Sequence, residues 1–270
     1  MTLERISKRF IEKHPFDAVR IIEQLGNAEK SALLESLQAE TAAEVLQAMT
    51  PADAVVSFTL MTPEQCLVIL KYLNPNFAAV CVRRLPSDLR RDILMEAGRH
   101  GELKNVRNLL NYPPDTAGAV MDPETAAVQE MMSAVDAVEF VKRHPDKLRN
   151  IIYVVNVENV LIGLIEARDL LLLEDNALIR STMKPIQYKL NSRTYLHTAS
   201  DNPGWDHYDN LPVVDFHGIY LGSLNREAFL QALAQIEVDN SHGDQPKEIL
   251  IGLAETFLNT CSELLFPNRK

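Results

Sequence analysis

A twelve-residue interval in the first third of the chain constrains the fold more than any other feature of the sequence. Between residues 46 and 88 the boundary positions are Thr50, Thr62, Asn74 and Pro86, each preceded by Met or Leu. The first three are followed by proline. Threonine and asparagine are good helix N-caps, and a proline after the cap starts one helix while it ends the one before. Each unit is therefore predicted to be a helix of about two turns.

Helices this short are unstable alone, so stacked units must share one continuous core, as they do in solenoids. Apolar pairs such as Leu33-Leu34 and Val45-Leu46 stand three and four residues before the Met or Leu that precedes a boundary, and they extend the register toward the N-terminus. The pattern predicts that residues 15–98 form a superhelix of short helices, of right or left hand. The alternative is two or three longer helices interrupted by unrelated prolines.

Composition and charge limit the functional classes. A chain of 270 residues is long enough for two or three domains, and its formal net charge of −10 is the opposite of what a nucleic-acid-binding protein shows. We interpret Arg83, Arg84, Arg90 and Arg91 mostly as a solvated helix face. With no signal-peptide pattern and no apolar run of about 18 residues, we expect a soluble, cytoplasmic protein without direct membrane insertion.

Cysteine and histidine spacing gives no sign of catalysis. Cys66, Cys81 and Cys261 form no CxxC pair and no zinc spacing, and the histidines fall in no HExxH frame. Cys66 and Cys81 occupy apolar helical positions, so we predict buried, reduced thiols. No catalytic residue is identified, and we do not expect an enzyme.

In the second half of the chain the spacing of apolar residues changes from that of helices to that of strands, and the sequence contains an internal repeat. A pattern of strand, polar turn, strand and helix occurs twice, with turns about 60 residues apart, which is typical of β-hairpins followed by helices. The predicted strands are Ile151 to Val155, Val160 to Ile165, Leu211 to Val214 and Ile219 to Leu224. In the second copy, Asn202-Pro203-Gly204 predicts that the helix of the first copy is shortened or replaced by a loop, and we expect Trp205 to fill the space that remains.

These residues resemble the cytosolic part of MgtE-type magnesium transporters, a helical N domain followed by a pair of cystathionine-β-synthase (CBS) domains. The resemblance rests on "YPPDTAGAVMDPE", "IYVVNVENVLIGLIEARDLLL", "STMKP" and "LPVVD…LGSLNREAF". It implies an α+β multidomain protein with an all-α superhelical N domain, a tandem CBS pair and a C-terminal amphipathic helix. The expected ranges are 1–112 for the N domain, 113–176 for the first CBS copy, 177–240 for the degenerate second copy and 247–268 for the helix.

The resemblance also implies a magnesium sensor, in which acidic side chains of the N domain and the second CBS copy face each other and cations bridge them. Clustered carboxylates are needed because hard divalent cations take oxygen ligands. At the positions of those acids this chain has Asn76, Phe77, Val80, His207-Tyr208, Ala228 and Gln231. Only Glu227 remains as a candidate metal ligand. We therefore expect magnesium sensing to be weak or lost.

CBS pairs of the family also hold adenosine nucleotides, through a glycine, a hydroxyl and an aspartate that binds the ribose. The first copy keeps Gly163, Arg168 and Asp169, which are the candidate nucleotide-binding residues, but it has Glu166 where the hydroxyl is expected. An arginine at position 168 offsets that charge. The second copy has Ala228 in place of the aspartate. For Asp169, the other interpretation is a carboxylate favoured by the start of a helix.

Three functional hypotheses follow from the resemblance. The first is a regulatory module that docks on a transporter; the second is a stand-alone CBS adaptor that responds to adenosine nucleotides; the third is the magnesium-sensing domain of a truncated transporter. No cofactor is certain, and Mg²⁺ or an adenosine nucleotide is expected to bind weakly if at all. We expect a homodimer through the CBS pair, with a membrane transporter or another protein as partner and a cytoplasmic location, peripheral to the inner membrane through that partner.

Overall fold

The computed structural model describes residues 10–11, 13–143 and 150–236. In this part of the chain, successive helices begin at residues 15, 27, 39, 51, 63, 75 and 87, which is the predicted twelve-residue interval. They are α1 (Pro15–Ile22), α2 (Asn27–Ser36), α3 (Ala39–Ala48), α4 (Pro51–Thr59), α5 (Pro63–Leu70), α6 (Pro75–Arg84) and α7 (Ser87–Arg99), and α8 (Lys104–Leu110) follows. The alternative of a few long helices is excluded.

The helix boundaries at Thr50, Thr62 and Asn74 have the predicted capping chemistry. Thr50 Oγ1 accepts a hydrogen bond from Asp53 N at 3.2 Å, and Thr62 Oγ1 accepts one from Gln65 N at 3.3 Å. Gln65 Oε1 accepts in return from Thr62 N at 2.7 Å, which completes a capping box. Proline at the first position of α4, α5 and α6 leaves no hydrogen bond unmade, because that N–H has no partner within the helix.

The core of the helical part also repeats every twelve residues. One position in each unit is almost completely buried, with side-chain exposure of 0 to 1%; its members are Leu34, Leu46, Phe58, Leu70 and Val82. Each helix packs mainly on the helix two units away, so α3 contacts α1 and α5, and α4 contacts α2 and α6. This arrangement gives every short helix the shared core that it cannot form alone.

Two β-sheets follow, one for each copy of the internal repeat. The first sheet has the order β1 (Ala127–Gln129), β2 (Ile151–Val155), β3 (Leu161–Glu166) and β4 (Lys184–Pro185); the second has β5 (Leu190–Asn191), β6 (Asn210–Val214) and β7 (Tyr220–Asn225). In both, a parallel pair is followed by an antiparallel hairpin. The intervening helices are α9 (Ala117–Val120), α10 (Ala134–Arg143), α11 (Ala167–Leu170) and α12 (Leu196–Ala199).

The two hairpin turns are built alike. Asn156 Oδ1 accepts hydrogen bonds from the backbone two and four residues later, at 3.0 and 2.9 Å, and Asp215 Oδ1 does the same at 2.8 Å for both. Asn159 and Gly218 have positive φ, 61° and 82°, at equivalent turn positions. These asparagine, aspartate and glycine residues are the types that such turns favour, so the predicted tandem repeat is confirmed.

Each copy also contributes a segment to the sheet of the other. β4 belongs to the second copy along the chain but pairs with β3, while Asp122, near the start of the first copy, exchanges backbone hydrogen bonds with Ser223 of β7. The turns meet as well, since Leu161 N donates to Gly218 O at 3.0 Å. The two CBS copies therefore form one paired unit and are not two separate domains that follow each other along the chain.

The predicted defect of the second copy is present. α12 has four residues where α10 has ten, and a 3₁₀ turn at Pro203–Asp206 follows it. Trp205 is 7% exposed, stacks on Phe229 with ring centroids 5.0 Å apart, and donates from Nε1 to Ala199 O at 2.8 Å. The indole thus fills the space that the shortened helix leaves. Residues 226–236 are helical, and the predicted helix over 247–268 lies outside the described residues.

Candidate functional site

The candidate nucleotide site of the first copy lies where β3 runs into α11. Gly163 pairs with Pro185 across the β3–β4 ladder, and a Cβ on this glycine would lie 2.8 Å from Lys184 O. Only glycine permits this close approach of the two backbones. The approach brings β4 directly over the residues that begin α11.

Four charged side chains meet at this junction. Lys184 Nζ lies 2.6 Å from Glu166 Oε1 and 3.3 Å from Asp169 Oδ2. Arg168 contacts the same two carboxylates from its own side, with Nε 3.5 Å from Asp169 Oδ1 and Nη2 3.6 Å from Glu166 Oε2. Hydrogen bonds to Glu166 and then to Asp169 raise the pKa of the Lys184 ammonium. Two cations balance two carboxylates.

The sequence analysis named three of these four charged residues, Glu166, Arg168 and Asp169, but missed Lys184. Gly163 lies within β3, Arg168 and Asp169 lie in α11, which follows β3 directly, and Asp169 is partly exposed. Glu166 was expected to be offset by Arg168, whereas its shortest contact is with Lys184. Lys184 belongs to the "STMKP" motif, but nothing in the sequence places that motif on the sheet of the preceding copy.

The equivalent junction of the second copy is an open cleft of about 440 Å³, lined by Asp209, Asn225, Arg226, Glu227, Leu230 and Gln231. Gln231 Nε2 donates to Glu227 Oε1 at 3.3 Å. The Arg226 guanidinium lies 5.9 Å from the centre of the Trp205 ring, with Nε 3.8 Å from Asp209 Oδ1. In the part of the chain that the structure describes, no group of three or more His, Cys, Asp and Glu side chains is placed to hold one metal ion.

Asn76, at the position of an expected acid, makes a contact that a carboxylate does not. Its Nδ2 donates to Val120 O at 3.0 Å and so joins α6 to α9, the segment that leads into the CBS pair. Phe77, the next residue, is half-buried and packs against the core cluster that includes residues of the second sheet. His207, at another of these positions, stacks on Tyr188 with centroids 5.5 Å apart.

Arg83 holds the same connecting segment. Its guanidinium donates from Nη1 to Tyr112 O at 2.9 Å and from Nη2 to Leu109 O at 2.5 Å, where α8 ends. Arg90 in turn donates to Arg83 O at 3.0 Å, the C-terminal end of α6. The interpretation of these two arginines as a solvated face is therefore wrong, because unpaired carbonyls at helix ends attract them.

The connecting segment, residues 109–122, docks in turn on the second CBS copy. Gly118 N donates to Ser192 O and Leu196 N to Asp115 O, both at 2.8 Å. A Cβ on Gly118 would lie 2.7 Å from Ser192 O and 2.7 Å from the Tyr112 ring. The helical part and the second copy thus share one hydrophobic core cluster, which includes Leu109, Met121 and Leu224.

Comparison with known families agrees with this architecture. The family model of the MgtE intracellular N domain matches residues 13–115, and that of the CBS domain matches residues 117–175. The chain carries an MgtE N domain followed by a CBS domain. The resemblance inferred from the sequence motifs is thereby confirmed, together with the predicted fold of a helical N domain and a CBS pair.

Curated relatives are magnesium transporters of this family. The chain is 26% identical over 240 residues to magnesium transporter MgtE of Thermus thermophilus, which covers 86% of this chain and 52% of that protein. It is 32% identical over 130 residues to the MgtE of Enterococcus faecalis, covering 45% of this chain and 27% of the relative. The chain thus spans about half of these relatives' length or less. No helix in the described residues is long and apolar enough to cross a membrane.

Solved structures share the fold of the MgtE N domain and CBS pair. The crystal structure of the cytosolic domain of the Mg²⁺ channel MgtE in complex with ATP matches with a TM-score of 0.70 at 24% identity, over 83% of this chain and 92% of that one. The soluble part of a magnesium transporter matches with a TM-score of 0.61 at 18% identity, over 86% and 97%. At these identities the likeness is one of fold.

Proposed function

We propose that this chain is an MgtE-type regulatory module of magnesium or other divalent-cation transport, acting by contact with another protein. The proposed domain ranges are 1–112, 113–176 and 177–240. Relatives that are magnesium transporters support the link to transport. The chain's own residues support a module whose N domain stays on the CBS pair without a bridging cation.

The observation that carries the proposal is the hydrogen bond from Asn76 to Val120 O. An amide donates to a carbonyl, whereas a carboxylate at this position repels it and needs a cation between the two oxygens. Arg83 adds two hydrogen bonds to the same segment, and Phe77 adds apolar contact. These contacts favour one compact arrangement at any Mg²⁺ concentration.

Glu227 is the remaining candidate ligand, and a single carboxylate holds Mg²⁺ weakly because that ion gives up its water reluctantly. Small-angle scattering tests the proposal: the radius of gyration is expected to be equal in chelator and in millimolar Mg²⁺. Compaction on adding Mg²⁺ would contradict it and would favour the magnesium-sensing domain of a truncated transporter. A Glu227→Gln variant then tells whether the ion uses that residue.

The proposed assembly is a homodimer through the CBS pair. α10 and α11 of the first copy lie in contact, and large apolar side chains on and beside them are exposed, namely Met131, Val135, Leu171 and Leu172 at 48 to 79%. Exposed apolar area of this kind marks interaction surfaces. Sedimentation of the wild type and of a Leu172→Glu variant checks it. A wild-type monomer at micromolar concentration contradicts the dimer.

A second candidate function is an adaptor that responds to adenosine nucleotides through Gly163, Arg168 and Asp169. It is favoured by the partly exposed Asp169 and by the two cations beside it. Thermal-shift titration with AMP, ADP and ATP tests this function, with Asp169→Asn as the variant expected to lose binding and Ala228→Ser as a control in the second copy. Co-purification with a membrane protein separates the transport module from an adaptor with another partner.

A further inference from the structure

Lys184 occupies the carboxylate pair that a ribose-bearing ligand would use. Its ammonium lies between Glu166 and Asp169, and Arg168 contacts the other oxygen of Asp169. Both oxygens of Asp169 are therefore engaged in ion pairs within the chain. A ligand hydroxyl can take Asp169 only if a cation gives way.

The backbone of Lys184 is fixed while its side chain is not enclosed. β4 pairs with β3 opposite Leu164 and Gly163, and the missing Cβ of Gly163 lets the Lys184 carbonyl lie against it. The side chain, by contrast, is 52% exposed and reaches the carboxylates along the surface. The ammonium can therefore leave Asp169 by rotation about side-chain bonds, with no break in the sheet.

We propose that Lys184 is a displaceable internal occupant of the first CBS half-site and makes that site select phosphorylated nucleosides over free nucleosides; this rests on the nucleotide function above. A ribose that binds Asp169 releases the ammonium from one of its two carboxylates. Adenosine offers that ammonium nothing in return, whereas the phosphate of AMP offers a charge-assisted partner. Lys184 thus weakens the binding of adenosine and strengthens the binding of AMP.

The test is isothermal titration of adenosine and of AMP into the full chain at one fixed ionic strength. The wild type is expected to bind AMP at least about tenfold more tightly than adenosine, the value of one charge-assisted contact. Lys184→Met is expected to bring the two affinities within about threefold of each other, by weakening the binding of AMP and strengthening that of adenosine. Lys184→Arg is expected to keep the preference.

Lys189→Met is the matched control, because it removes a positive charge from another exposed lysine of the same segment, five residues further along the chain. An unchanged preference in Lys184→Met, or an equal loss of both ligands, overturns the role of Lys184 while the nucleotide site stands. Absence of binding in the wild type, Lys184→Met and Lys184→Arg overturns the nucleotide function and this proposal together. Thermal denaturation of each variant confirms that it is folded.

Discussion

Replacing Asn76 by aspartate tests whether the N domain is held on the CBS pair by a hydrogen bond instead of a cation. The side chain sits in the first turn of α6, where Nδ2 donates to Val120 O at 3.0 Å. The amide oxygen, Oδ1, is buried and accepts no hydrogen bond from the described residues. Aspartate removes the donor and places a negative oxygen against the carbonyl.

The magnitude follows from three effects. Leaving the Val120 carbonyl without its donor costs about 1–3 kcal/mol, and more when the intruding group is charged. A carboxylate in the first turn of a helix returns about 0.3–1 kcal/mol through the helix dipole. We therefore expect Asn76→Asp to lower the free energy of unfolding by about 1–2 kcal/mol at least, a fall in Tm of about 2–8 °C for a chain of this size.

The assay is thermal and urea denaturation in chelator, with small-angle scattering on the same samples. Asn74→Asp is the matched control: it adds the same charge two residues earlier, and aspartate caps α6 as well as asparagine does, through the oxygen that accepts from Asn76 N at 2.9 Å. Asn74→Asp is expected to be neutral. If Asn76→Asp is as stable and as compact as Asn74→Asp, the hydrogen bond does not hold the domains together.

Two further predictions concern the buried thiols and a tight backbone approach. In a Cys261→Ser background, Cys66 and Cys81 are expected to resist alkylation at pH 8 until the protein is unfolded, since burial raises the pKa of both thiols to about 12; fast labelling of native protein would contradict this. Because the folded pKa lies above the unfolded one, their contribution to stability is complete below about pH 8.5 and is lost as the pH rises toward 12. Gly118→Ala is expected to destabilise by about 1–3 kcal/mol, because its Cβ would meet the second CBS copy at 2.7 Å. Gly98→Ala, in α7 and against only a flexible arginine tip, is expected to be neutral or stabilising by about 0.5–1 kcal/mol, and equal effects at the two positions would count against the close approach.

The sequence alone determined the helical superhelix and the internal repeat. Capping and proline chemistry act between residues adjacent in the chain, so Thr50, Thr62 and Asn74 place helix starts at residues 51, 63 and 75 without any knowledge of packing. The two hairpins are equally local, because Asn156 and Asp215 fold their turns through hydrogen bonds to residues two and four positions later. Such local interactions recur at a regular spacing in the sequence, and these elements can be predicted from that spacing.

Only the tertiary structure decided which distant segments meet. From the sequence, Arg83 is interpreted as a surface residue and Asn76 as the loss of an acid. The fold places the end of α8 beside Arg83 and Val120 O within hydrogen-bond distance of Asn76. Lys184 lies 18 residues from Glu166 along the chain, yet strand exchange between the copies makes it the closest cation to that carboxylate. Ion pairs and side-chain-to-carbonyl bonds depend on distance in space and on no fixed spacing in sequence, so the sequence carries no period from which these contacts can be read.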